Sequence, residues 1–116
     1  MKYQGSCHCG NIAFEAEGEL TKVMDCNCSI CMRRGGMLWF VPGANFTLKT
    51  PRDKMGTYTF NKHVIQYRFC LNCGIGPFGE GKDPKGNAMV GINARCIEGF
   101  DPKAVQVDFF DGRHKI

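Results

Sequence analysis

The strongest constraint on this chain is its eight cysteines in 116 residues, because they are grouped rather than scattered. Cys7 and Cys9 form a C-x-C. Cys26, Cys28 and Cys31 form a C-x-C-x-x-C. Cys70 and Cys73 form a C-x-x-C followed by Gly74, and Cys96 stands alone. An even count allows a disulfide scaffold, but tight clusters suit shared metal ions better than four bridges. The opening MKYQGSCHCGN carries no signal-peptide pattern, and no apolar run approaches the roughly 20 residues of a membrane helix. The expected compartment is therefore the cytoplasm, where thiols stay reduced and clustered cysteines bind metal.

Metal binding also alters the charge. The formal +4 counts cysteines as neutral thiols, whereas a metal-bound cysteine is a thiolate. Subtracting seven thiolates and adding two divalent ions brings the balance to about +1. The best reason to invoke nucleic acid then disappears, since no basic stripe with interleaved aromatics replaces it.

The length predicts one domain, 1–116, with a core of modest size. The pattern is short strands separated by turns. NIAFEAEG (11–18) alternates apolar and polar residues with period two, and GMLWFVP (36–42) is a continuous apolar run stopped by Pro42. Segments 45–50, 56–60, 63–70, 87–94 and 104–110 read as further strands, with Asn61-Lys62 as a tight hairpin. Only SICMRR (29–34) reads as a helical turn, ended by Gly35-Gly36. GEGKDPKG (79–86) reads as the longest and most mobile loop, and Trp39, Phe40, Phe69 and Phe78 as core. The fold class is mainly β, a single-layered or folded-over sheet with cysteines at strand ends and turns.

The C-x-x-C-G at Cys70 and Cys73 is half of a tetrahedral site, the glycine letting backbone amides turn toward the thiolates. A thioredoxin-type redox pair would need a βαβ context that the local pattern lacks. Cys7 and Cys9 supply the other half. A four-cysteine site of this kind would tie the N-terminal hairpin to the middle of the chain and contribute folding free energy. Cys26, Cys28 and Cys31 are then left as three ligands. A three-ligand site keeps a position for a substrate, and a thiolate-rich ion favours an incoming thiol there. The alternative is that Cys96, His8 or His63 closes the site. Cys96 itself reads as a buried non-ligand.

GSCHCGNIAFEAEG, CNCSICMRRGG, YTFNKHVIQYRFCLNCGIGPF and INARCIEGFD occur in order, with the spacing of one family. Together, from about Gly5 to Gly112, they resemble the glutathione-dependent formaldehyde-activating enzymes, a family that includes centromere protein V. The resemblance implies a zinc-containing β-tent of twisted antiparallel sheets with at most short helical turns. It implies two zinc ions, one structural on Cys7, Cys9, Cys70 and Cys73 and one catalytic on Cys26, Cys28 and Cys31. It implies a carbon–sulfur lyase that adds the thiol of glutathione to formaldehyde, giving S-hydroxymethylglutathione. The expected partners are thus a small-molecule thiol and an aldehyde. The chain departs from the family pattern at Asn27, where histidine is common.

Around this centre, Arg33 and Arg34 could pair with a carboxylate of a glutathione-like ligand, or could lie on a solvated turn. His63 could pass a proton to an aldehyde oxygen, or be a surface residue. Two other functions stand beside the enzyme reading. One is a zinc-stapled module that binds another protein, which needs both sites closed. The other is a redox enzyme using Cys96, which needs an exposed thiol of lowered pKa.

Overall fold

Alternating side chains fix which way each strand faces, and they sort this chain into two sheets. The computed structural model describes residues 1–114. In chain order the strands are β1 (Lys2–Ser6), β2 (Ala13–Glu17), β3 (Lys22–Cys26), β4 (Leu38–Pro42) and β5 (Phe46–Leu48). They continue as β6 (Met55–Tyr58), β7 (Gln66–Cys70), β8 (Phe78–Lys82), β9 (Ala88–Asn93) and β10 (Gln106–Phe110). The one α-helix among the described residues, α1 (Ser29–Arg34), follows β3. Its end is set by Gly35, whose φ of 71° is one that glycine adopts freely and whose amide donates to the carbonyl of Cys31.

The small sheet has the order β1-β2-β5 and the large one β10-β3-β4-β9-β8-β7-β6. The core lies where their inner faces meet. Phe14 on β2 stacks on Phe46 with ring centroids 5.3 Å apart, and Phe46 meets Phe78 of β8 at 4.7 Å. Val23, Trp39, Val41, Val90 and Ile92 complete the inner face of the large sheet, all buried. The mainly β architecture follows the reading of the sequence. One strand pair is not antiparallel, however: β10 runs parallel to β3, with Phe110 beside Cys26.

Four local expectations are corrected. The first half of segment 79–86 is strand, since β8 pairs with both β7 and β9 in the interior of the sheet. The turn is confined to 83–87, where the carboxylate of Asp83 accepts from the amides of Lys85 and Asn87. Glycines normally weaken a strand interior, and here two hydrogen-bonded neighbours override that propensity. Asn61-Lys62 is not a two-residue turn. β6 and β7 do pair, but from Tyr58 to Tyr67, with a longer loop in which Asn61 and His63 both take positive φ. Phe40 is 46 % exposed on the outer face of the large sheet, and Phe69 is half-buried. Trp39 and Phe78 are core as expected. Strands β1 and β3 were not apparent in the sequence; KYQGS and KVMDC are too polar to show an apolar period.

Gly5 and Phe14 face each other across β1 and β2, and the Phe14 ring lies directly over the glycine. A Cβ at position 5 would collide with that ring, which is itself fully buried. Gly5→Ala is therefore expected to cost about 1–3 kcal/mol by overpacking. Urea denaturation checks it, and an unchanged midpoint would refute the ring-over-glycine packing.

Candidate metal centre and active site

Two groups of cysteines converge, and they differ in size. The Sγ atoms of Cys7, Cys9, Cys70 and Cys73 all lie within 4.8 Å of one another. Cys7 and Cys9 occupy the turn between β1 and β2, Cys70 ends β7, and Cys73 sits in the turn after it. The pairing expected from spacing is thus present. The Cys7–Cys9 and Cys9–Cys70 sulfur distances are 3.8 and 3.5 Å. A regular tetrahedron with metal–sulfur bonds of about 2.3 Å has edges of roughly 3.8 Å, so these sulfurs fit an ion such as zinc.

The backbone prepares these sulfurs for negative charge. The amide of Ile12 donates to Cys7 Sγ at 3.3 Å, and those of Asn72 and Cys73 donate to Cys70 Sγ at 3.3 and 3.4 Å. The Ile75 amide, then that of Cys9, pulls the Cys73 thiol down to about 6. Burial pushes Cys7 up to about 11. Four sulfurs this close cannot all ionise beside one another without a cation among them, because like charges at this range disfavour ionisation.

The second group is Cys26 at the end of β3, Cys28 just before α1, and Cys31 in its first turn, again within 4.8 Å of one another. Cys26 and Cys28 are buried and Cys31 half-buried. The Cys28 amide donates to Cys26 Sγ at 3.4 Å. Burial opposes ionisation of Cys28, but the Cys31 amide and the neighbouring sulfurs outweigh it and the thiol is lowered. Cys31 is pushed up, by burial first and then by Cys28 and Cys26. No fourth His, Cys, Asp or Glu atom joins this group among the described residues. Cys96 is half-buried, outside both groups. Burial raises its thiol against the opposing pull of Arg34, the reverse of what a redox nucleophile requires.

Asn27, between two of these cysteines, holds the C-terminal segment over them. Its amide donates to the carbonyl of Phe110, and its Nδ2 donates to Asp111 at 3.0 Å. Its Oδ1 accepts from the Arg113 amide at 2.9 Å. This brings Gly112 so close that a Cβ there would stand 2.8 Å from Cys26 Sγ. Asn27 carried no role in the sequence reading. Its partners are more than 80 residues away, so only its type, a short side chain that bonds backbone readily, could have drawn attention.

The triad faces a cavity of about 410 Å³ on the outer face of the large sheet, whose lining includes Cys26, Cys28, Cys31, Arg34, Tyr67 and Asn93. A second cavity of about 780 Å³ adjoins it and includes Ser29, Arg33, Arg34, Tyr67, Gly76 and Asn93. Arg34 and Tyr67 thus border both. The guanidinium of Arg34 lies 5.5 Å from the centre of the Tyr67 ring and donates to the Arg68 carbonyl at 3.1 Å. It occupies the space that any side chain at Gly76 would need. Arg33 is exposed, with Nη1 bonded to the Ser29 carbonyl at 2.9 Å. His63 lies on the exposed β6–β7 loop, its Nδ1 2.8 Å from Thr59 Oγ1, and lines neither cavity. The structure therefore brings Arg34 into the cavity of the triad, places Arg33 in the adjoining one, and leaves the histidine apart.

Two strand layers, a four-sulfur clip and a three-sulfur group opening on a cavity define a mainly β protein with two cysteine clusters able to hold metal ions. The family model described as glutathione-dependent formaldehyde-activating enzyme matches residues 2–111, and the chain belongs to that family. A solved crystal structure of a Rhodobacter sphaeroides protein is similar throughout. It is 26% identical, with a TM-score of 0.77 over 93% of this chain and 100% of that one.

Proposed function

We propose that this chain is a zinc-dependent enzyme of the carbon–sulfur lyase type. It binds a thiol such as glutathione at Cys26, Cys28 and Cys31 and adds it to, or releases it from, a small aldehyde. The observation that carries this reading is the three-cysteine group facing a cavity. The family match supports glutathione and formaldehyde as the starting substrates. Zinc in this group would supply Lewis acidity that favours the deprotonated form of an incoming thiol.

The chain's own side chains do the rest. Arg33 and Arg34 in the larger cavity pair with a glutathione carboxylate, placing the peptide so that its sulfur reaches the triad. Tyr67 is a phenol, neutral at pH 7, and borders both cavities, so it can donate to the aldehyde oxygen as negative charge develops there. In the reaction one carbon–sulfur bond forms, the carbonyl π bond opens, and the thiol proton ends on oxygen. Release is the reverse. His63 would have to reach in from its loop to take part.

Exchange NMR of glutathione and formaldehyde tests the proposal, with zinc analysis on the same sample. Expected are two zinc equivalents per chain and faster interconversion of free and adduct glutathione. No acceleration by fully metal-loaded protein would refute the enzyme. Arg34→Ala should raise KM for glutathione roughly tenfold or more, the cost of losing a charge-assisted contact. Unchanged KM would free Arg34 from that role.

A further inference from the structure

In a sheet with one face on the core, the other face is ordinarily polar. The large sheet breaks that rule. Residues opposite the core face include Met24 on β3, Leu38 and Phe40 on β4, Met89 on β9 and Tyr67 on β7, and all of them line the smaller cavity. Across the middle of this apolar face the side chains stop. Gly79 of β8 and Gly91 of β9 are direct cross-strand partners, flanked in the same row by Tyr67 and Phe40. Gly81, opposite Met89, extends the gap along β8. The result is a trough with a glycine floor and apolar walls. Cys26, Cys28 and Cys31 belong to its lining, as do Lys82 and Asp83 at the far end of β8. These glycines are not demanded by backbone conformation, since none of the three has positive φ. A Cβ on Gly79 would make only ordinary contacts, the nearest at 3.5 Å, and one on Gly81 would meet Ile65 at 3.4 Å. One on Gly91 would instead press on the Phe40 ring at 3.2 Å, so the room lies over β8. What the missing side chains leave is space beside the sulfurs.

That space is too large for formaldehyde. At about 30 Å³ per water, a cavity of about 410 Å³ corresponds to more than a dozen water-sized groups, whereas formaldehyde has two heavy atoms. Nor does it suit the two carboxylates of glutathione, because its walls are mainly apolar and only Arg34 of the two arginines borders it, whereas both border the adjoining cavity. We infer that the trough holds the apolar tail of the carbonyl substrate, so that the thiol is added to or released from an aldehyde bearing an alkyl or aryl chain of about five to nine carbons. This rests on the thiol–aldehyde reading of the triad and deepens it. The thiol enters by the arginines, the tail lies along the glycines, and the reacting carbon sits between them at the cysteines. The chemistry balances as for formaldehyde: sulfur bonds to the carbonyl carbon, and the thiol proton passes to oxygen.

The test uses zinc-loaded full-length protein and two readouts. In calorimetry with S-methyl-, S-butyl- and S-hexylglutathione, affinity is expected to rise roughly fourfold per methylene as each is buried. Gly81→Leu, which fills the trough away from the cysteines, should remove at least tenfold of the advantage of S-hexyl over S-methyl. Exchange NMR should show the same trend, with hexanal preferred over formaldehyde and that preference reduced in Gly81→Leu. Phe40→Ala, which opens one wall, checks the result should the leucine variant fold poorly; it should flatten the chain-length gradient. Affinity independent of chain length in the wild type overturns the inference. So does a dimer that Phe40→Asp dissociates, which would give this face to a second copy of the chain. Acceleration with formaldehyde alone would overturn the tail site and leave the proposed function standing. A chain-length gradient in binding without acceleration of any aldehyde would overturn the proposed function and the carbonyl substrate with it, leaving the trough an apolar binding site only.

Discussion

Cys70→Ser is expected to leave no cooperatively folded protein under ordinary conditions. Cys70 is 1 % exposed, belongs to the main core cluster, and accepts two amide hydrogen bonds at its sulfur. With Cys7, Cys9 and Cys73 it joins the β1–β2 turn of the small sheet to the end of β7 in the large one. The two sheets otherwise share a core of modest size. A structural zinc site contributes on the order of 10–16 kcal/mol of apparent binding free energy, all of it realised on folding. A whole domain of this kind is stable by only about 5–15 kcal/mol. Losing one of four ligands removes a large part of the first quantity, and the serine hydroxyl, harder and not ionised, is a poorer ligand for a thiolate-rich ion than the sulfur it replaces. Circular dichroism with thermal melting decides it, beside wild-type protein stripped by a chelator. Both should lose the transition. A Cys70→Ser melt within a few degrees of wild type would show that the four-cysteine group does not staple the sheets.

The cysteine groups were legible in the sequence because metal-ligand spacing is local. C-x-C and C-x-x-C fix which sulfurs can share an ion, and pairing the two halves needed only the count of those left over. Strands with strict alternation, such as Ala13–Glu17, were legible for the same reason, since their burial repeats every two residues. What escaped was decided by neighbours remote in sequence. The glycine-rich β8 reads as a loop by propensity, and only its position between β7 and β9 makes it a strand. Phe40 reads as core because it is aromatic within an apolar run, yet its parity along β4 turns it to the outer face, away from Trp39 and Val41. Asn27 looked like a gap in the family pattern. Its function is structural and depends on 110–113, which reach it only because β10 runs parallel to β3.

Cys28→Ser should separate the roles of the two cysteine clusters. Cys28 is as buried as Cys7, at 4 % against 3 %, so burial alone would predict equal damage from replacing either. Connectivity predicts otherwise. Cys26, Cys28 and Cys31 lie within one short segment running from β3 into α1, so an ion there closes only a small loop. The unfolded chain loses little entropy when such a loop closes, and the site therefore adds little to stability by that route. The variant is expected to melt cooperatively, to bind one zinc equivalent firmly instead of two, and to lose acceleration of glutathione–aldehyde exchange by a hundredfold or more. Glutathione affinity should fall with it, toward that of S-methylglutathione for the wild type, because a thioether cannot become an anionic ligand while its carboxylate contacts persist. Zinc analysis, melting and calorimetry on the same preparation read all three. Unfolding as complete as that of Cys70→Ser would erase the division between a structural and a reactive ion. An intact fold with undiminished glutathione affinity would place the thiol away from the triad, and with it the proposed chemistry.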